Sequence, residues 1–151
     1  MRVLIIEDDP SVGAAIQMVL DRGGFDTVHA PDADKGLQAF ESSSFNLVIV
    51  DIFMPGMNGL KTIAEFRNRA PAVPVLAISG FRFRDSMDPG LDFLGMAAEV
   101  GATVCLRKPF TSEQLMTAVR ASLELSLSGI RSVKTEFRNK DSHDGDEQPS
   151  L

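Results

Sequence analysis

Tryptophan and tyrosine are absent from this 151-residue sequence, and there is a single cysteine, Cys105. One cysteine excludes an intramolecular disulfide and gives no sign of an oxidising compartment. No apolar run reaches the length of a membrane span, and the run at residues 3–6 is too short for the core of a signal peptide. We therefore expect a cytoplasmic protein without a membrane segment, in which Cys105 is a small buried residue.

Basic residues are fewer than acidic residues. Lysine and arginine together number 15 against 21 aspartates and glutamates, so the formal net charge is -6. Proteins that bind nucleic acid non-specifically usually carry a basic patch, and this balance argues against direct DNA binding. Hydrophobic residues make up 44% of the chain, which is enough for the core of one domain.

Five short segments have the composition of buried strands. Several are nearly continuous runs of Val, Ile and Leu, a pattern typical of parallel strands covered by helices on both faces. The predicted strands are residues 3–6, 25–30, 47–50, 75–78 and 103–106.

Helical patterns separate these strands, and some begin at recognisable capping residues. Asp9 and Pro10 have the signature of an N-cap followed by proline in the first turn. Thr111 and Gln114 predict a capping box for the last helix. The repeated alternation of strand and helix indicates βαβ units and an open parallel sheet of the α/β class.

The character of the chain changes near Ser126. Residues 131–140 contain four Lys or Arg against one acid, and residues 141–151 contain four acids and no Lys or Arg. We expect the domain to cover residues 1–124 and residues 125–151 to form a polar, disordered tail. A DNA-binding module needs about 60 residues to build a core, more than the 27 that follow Glu124.

Polar side chains follow four of the predicted strands. Open parallel sheets bind ligands outside the carboxyl ends of their strands, so one edge of this sheet would gather acids, a hydroxyl and an amine. The residues in question are Glu7, Asp8, Asp51, Ser79 and Lys108.

In this order and on these elements, the motifs EDD, DIFMPGMNG, ISG and LRKPF resemble the receiver domain of bacterial two-component response regulators. The resemblance covers about residues 1–124. It implies a flavodoxin-like, doubly wound sheet of five parallel strands in the order 2-1-3-4-5, with helices on both faces. Each motif alone is weak, whereas the ordered combination is specific.

The resemblance also implies roles for individual residues. Asp51 matches the phospho-acceptor, which takes a phosphoryl group from a sensor histidine kinase or a histidine phosphotransfer protein. Ser79 and Lys108 match the residues that bind the phosphoryl oxygens, and Pro109 matches a proline that commonly follows a cis peptide bond.

A magnesium site is implied in the same way. Glu7 and Asp8 match an acidic pair that holds Mg²⁺ together with Asp51 and the backbone carbonyl of Phe53. The chemistry is suitable, because a hard cation with oxygen ligands screens the approach of a carboxylate to an anionic phosphoryl group.

The sequence departs from the family pattern in three places. Cys105 stands where many receivers carry a switching Tyr or Phe. An insertion is expected near residues 81–95, before the fourth helix. Phe53 stands two residues after Asp51, where its ring would hinder water and slow self-dephosphorylation.

His29 and His143 lack metal-ligand spacing and are interpreted as structural or solvated.

The leading hypothesis is a single-domain response regulator: a phosphoryl-accepting signalling protein rather than an enzyme, which relays its state to an unknown downstream protein. A homodimer is left open. One alternative is a degenerate receiver that acts only as a docking module. A hydrolase of the haloacid-dehalogenase type is disfavoured, because its second aspartate would stand at Phe53.

Overall fold

The computed structural model of the chain describes residues 1–54, 58–80, 93–127 and 136–137. Strands and helices alternate within them as the sequence predicts. Among the helices in these ranges, none combines the length and apolar character that crossing a bilayer requires. The elements are β1 Arg2–Ile6, α1 Pro10–Arg22, β2 Asp26–Ala30, α2 Ala33–Ser42, β3 Leu47–Asp51, α3 Gly59–Arg69, β4 Val75–Ser79, α4 Phe93–Val100, β5 Val104–Arg107, α5 Ser112–Leu127 and β6 Glu136–Phe137.

The strands form one parallel sheet in the order β2-β1-β3-β4-β5-β6. Its first five strands confirm the predicted flavodoxin-like order. β6 adds a short strand at the β5 edge, where Cys105 is the register partner of Glu136. The sequence did not predict a strand in this segment. Of the predicted insertion, residues 81–92 lie outside the described residues and residues 93–95 begin α4.

The core consists of two apolar layers, one on each face of the sheet. Alternate strand residues point into each layer, so neighbours such as Ile5 and Ile6 pack on opposite faces. α2, α3 and α4 cover one layer, in which Phe66 is among the largest fully buried side chains. α1 and α5 cover the other. Cys105 is buried in the first layer, as the sequence predicts.

Capping residues set where the helices begin. The Asp9 side chain accepts hydrogen bonds from the amides of Ser11 and Val12, as expected for an N-cap before Pro10. Three residues therefore connect β1 to α1, which holds the acidic residues close to the end of the strand. The predicted capping box of α5 is present, with reciprocal backbone-to-side-chain bonds of 2.8 and 3.0 Å between Thr111 and Gln114.

Candidate functional site

Two buried carboxylates lie side by side at the carboxyl ends of the central strands. Glu7 follows β1 directly, and Asp51 is the last residue of β3. The two strands are neighbours, and their register pairs Ile6 with Val50, so the next residue along each strand reaches the same edge. Glu7 is 2% exposed and Asp51 4% exposed, whereas the adjacent Asp8 is exposed.

Lys108 reaches both buried acids from the end of β5. Its Nζ lies 3.1 Å from Asp51 Oδ2 and 3.5 Å from Glu7 Oε2. The backbone amide of Lys108 donates to the carbonyl oxygen of Ser79 at 2.8 Å, which ties this residue to the neighbouring strand. The peptide bond between Lys108 and Pro109 is cis, as the resemblance implies. One amine thus balances part of the charge of two carboxylates.

Ser79 ends β4, the strand next to β3, and is buried. Because Asp51 is the register partner of Ile78, Ser79 lies one position further toward the carboxyl edge. The fold therefore brings the predicted hydroxyl to the same rim as the predicted acids and lysine.

Phe53 holds Asp51 through its backbone. Its amide donates to Asp51 Oδ1 at 2.9 Å, while Lys108 donates to the other carboxylate oxygen. The ring of Phe53 is half-buried and packs against the core layer beneath α2, α3 and α4. A hydrogen-bond donor therefore holds each carboxylate oxygen of Asp51. The sequence did not indicate the backbone donor at Phe53.

The electrostatics of the site favour a proton on Glu7. Burial raises the pKa of Glu7 to about 8, and the hydrogen bond to Asp51 and the repulsion from its charge act in the same direction. Lys108 and the amide of Asp9 oppose this shift in pKa. Two acids and one lysine leave an excess of negative charge, which a proton or a cation can compensate.

The same carboxylates have the geometry of a cation site. One carboxylate oxygen from each of Glu7, Asp8 and Asp51 can be chosen so that all three lie within 4.8 Å of one another. Mg²⁺ binds oxygen ligands octahedrally at about 2.1 Å, so opposite ligands lie about 4 Å apart. These carboxylates can therefore supply oxygen ligands to a small divalent cation at this edge after small side-chain movements.

His29 is a further neighbour of the site, which the sequence did not connect with it. Its Nε2 lies 2.7 Å from the backbone carbonyl oxygen of Glu7. A histidine near the end of β2 has no local pattern that would indicate this contact; only the register of β1 against β2 places it there.

Comparison with known proteins gives consistent matches. The family model described as response regulator receiver domain matches residues 3–120. The transcriptional regulatory protein CseB of Streptomyces avermitilis is 32% identical over 121 residues, covering 80% of this chain and 48% of that protein. The DNA-binding response regulator MtrA of Mycolicibacterium smegmatis is 32% identical over 122 residues, covering 81% of this chain and 49% of that protein.

Solved structures agree with the sequence matches. A response regulator receiver domain protein from Clostridium thermocellum superimposes with a TM-score of 0.72 at 25% identity, covering 84% of this chain and 97% of that one. The chain spans about half the length of the curated relatives it matches.

Proposed function

The chain belongs to the response regulator receiver domain family, and from that premise we propose that Asp51 accepts a phosphoryl group from a phosphohistidine, with the help of Mg²⁺. The donor is a sensor histidine kinase or a histidine phosphotransfer protein. One observation carries the proposal: Lys108 Nζ lies within 3.5 Å of both Glu7 and Asp51, although these residues are far apart in the sequence.

In the proposed reaction, a carboxylate oxygen of Asp51 attacks phosphorus. The new O–P bond forms as the P–N bond to the donor imidazole breaks, and the imidazole keeps the electron pair and takes up a proton. A carboxylate is a weak nucleophile and the phosphoryl group is anionic, so lowering their repulsion is the main requirement.

The residues of the chain divide this task. Glu7, Asp8 and Asp51 would hold Mg²⁺, together with the backbone carbonyl of Phe53. Bound Mg²⁺ supplies positive charge to the phosphoryl oxygens. Lys108 already donates to Asp51 at 3.1 Å, and its compact ammonium can turn to a phosphoryl oxygen after transfer.

Two further residues act on the phosphorylated form. Ser79 would donate its hydroxyl to a phosphoryl oxygen, because it lies at the rim of the strand next to β3. Phe53 offers no group that could activate water at the position two residues after Asp51. We therefore propose that the aspartyl phosphate hydrolyses slowly.

The phosphorylated domain is proposed to relay its state through protein contacts. The net charge of -6 supports a protein rather than a nucleic acid as the partner of this segment. Cys105, at the place of the usual aromatic switch, is small and buried. Coupling to a partner would therefore use other side chains than an aromatic ring at that position.

Phosphorylation by a small-molecule donor tests the proposal. We expect incubation with acetyl phosphate and Mg²⁺ to add one phosphoryl group, measured as intact mass, and omission of Mg²⁺ to suppress the reaction. Asp51→Asn should stay unmodified.

Asp9→Asn is the matched control, because Asn caps a helix as well as Asp does and Asp9 caps α1 rather than facing the cluster. It should be phosphorylated like the native chain. If the native chain stays unmodified, the docking-module alternative is favoured. If Asp51→Asn is phosphorylated, a residue other than Asp51 is the acceptor.

A further inference from the structure

We propose that His29 is a positioning residue of the cation site: its imidazole holds the peptide unit that joins Glu7 to Asp8 and thereby orients both acids. The inference rests on the proposed function, since it concerns how the Mg²⁺ ligands are held. His29 lies outside the carboxylate cluster that could hold a cation among the described residues.

The contact replaces a strand hydrogen bond where the sheet ends. Pairing of β1 with β2 finishes at Ile6 and Ala30. The amide of Glu7 still donates to the carbonyl of Ala30 at 3.1 Å, but β2 goes no further. The next backbone acceptor, the Glu7 carbonyl, receives its hydrogen bond from the side chain of His29 at 2.7 Å.

This hydrogen bond fixes more than one residue. A carbonyl oxygen can only accept, so Nε2 of His29 carries the hydrogen and donates. The Glu7 carbonyl belongs to the planar peptide unit that ends at the α-carbon of Asp8. Holding its oxygen therefore restricts the directions in which the side chains of Glu7 and Asp8 leave the backbone.

α1 is shaped to accept the imidazole. A Cβ on Gly13 would lie 2.4, 2.5 and 2.9 Å from three ring atoms of His29, so only glycine leaves room for the ring. Gly13 is buried in the first turns of α1, where alanine would otherwise favour the helix. The contact with the His29 ring therefore explains why residue 13 is a glycine. This observation is independent of the hydrogen bond between His29 and Glu7.

The geometry disfavours a direct metal-ligand role for His29. Its Nε2 already donates to a carbonyl. Over the ranges that the structure describes, the cluster able to hold a metal consists of Glu7, Asp8 and Asp51 and does not include a histidine. Partners of this indirect kind orient ligands, and their loss typically weakens metal affinity.

Calorimetric titration of the full chain with Mg²⁺ tests the role of His29. We expect His29→Ala to weaken the Mg²⁺ affinity about tenfold. His29→Gln should restore much of it, because its amide can donate from nearly the same place. Unfolding in EDTA, measured in parallel, separates metal affinity from fold stability.

Thr27→Ala is the matched control. Thr27 lies two residues before His29 on the same face of β2 and bonds Asp21 and Gln17 of α1, away from the cluster. Its Mg²⁺ affinity should equal that of the native chain. An equal loss in Thr27→Ala and His29→Ala would overturn the positioning role.

A double-mutant cycle with Gly13 adds an independent test. Gly13→Ala should weaken Mg²⁺ binding in the native background, because the new methyl group displaces the imidazole. In the His29→Ala background it should cause no further loss, since the ring is gone. Additive losses would overturn the inferred fit.

The results distinguish this inference from the proposed function. A native chain that does not bind Mg²⁺ contradicts the proposed function and the inference with it. A native chain that binds Mg²⁺, together with His29→Ala of unchanged affinity, overturns the inference alone.

Discussion

At the scale of single residues, the site is defined by charges that would ordinarily avoid each other. Glu7 and Asp51 are buried next to each other, and Lys108 compensates only part of their charge. Burying a carboxylate without a partner is costly, so the pair holds a proton or a cation. Burial raises the pKa of Glu7 to about 8, which favours its protonated form when no cation is bound.

Glu7 makes the stability of the metal-free protein depend on pH. An unfolded glutamate titrates near 4.5, whereas burial and Asp51 raise the pKa of Glu7 in the folded protein to about 8. Between these values the folded state binds more protons than the unfolded state, so stability falls as pH rises. We expect a loss on the order of a few kcal/mol between about pH 5 and pH 8.

Urea unfolding in EDTA over that pH range measures the effect. Glu7→Gln, which cannot titrate, should flatten most of the slope. An identical slope in Glu7→Gln and the native chain would assign the pH dependence to other groups.

Phe53 is expected to set the lifetime of the phosphorylated state. Phe53→Asn places a polar group that can position water two residues after Asp51. We expect hydrolysis of the aspartyl phosphate to become up to about tenfold faster, which is a smaller acceleration than a general base provides. The half-life is measured by intact mass after the acetyl phosphate is removed. Phe53→Leu, which stays apolar, serves as control; equal half-lives in Asn and Leu variants would contradict the prediction.

At the scale of elements, short connections and close packing hold the site. Only three residues separate the end of β1 from the start of α1, and Asp9 caps the helix. On the other side of the cluster, α3 begins at Gly59 against the backbone of Ile52, next to Asp51. The two helix starts therefore limit how far the strand ends can move.

Gly59 permits the approach of α3 to the strand end. A Cβ at Gly59 would lie 2.5 Å from the α-carbon and the carbonyl oxygen of Ile52, and these backbone atoms cannot turn aside as a side chain can. We expect Gly59→Ala to destabilise the fold by about 2 kcal/mol, measured by urea unfolding. Gly80→Ala is the control, since none of the residues that the structure describes lies within 4 Å of a Cβ there. Similar losses in both variants would contradict the packing argument.

At the scale of the whole molecule, the site joins strands that are distant in sequence. Glu7, Asp51 and Lys108 follow or end β1, β3 and β5. A cation or phosphoryl group that binds them stabilises the folded chain only, because the cluster exists only when the sheet is formed.

Mg²⁺ should therefore stabilise the domain as a whole. With Mg²⁺ a hundredfold above its dissociation constant, linkage adds about 2.7 kcal/mol to the free energy of unfolding. We expect this gain in urea unfolding of the native chain at neutral pH. Asp51→Asn should show much less of it. A gain of the same size in Asp51→Asn would indicate that Mg²⁺ binds outside the cluster.

Local patterns in the sequence were sufficient for the first five strands, the helices between them and the candidate residues. Apolar runs predicted the first five strands, and the Thr111 and Gln114 pair predicted the cap of α5. These features depend on neighbours a few residues apart, so the chain alone reveals them. The order of motifs likewise indicated which acids, hydroxyl and lysine to expect at one edge.

The tertiary structure decided what depends on register. Lys108 contacts Glu7 and Asp51, and the ring of His29 packs against Gly13, although these residues share no local sequence pattern. The raised pKa of Glu7 likewise depends on burial and on Asp51, which lies far away in the sequence. β6 beside β5 is a further case, because a two-residue strand leaves no periodicity to detect. Sequence determines which groups are available, whereas the pairing of strands determines which of them meet and how burial changes their chemistry.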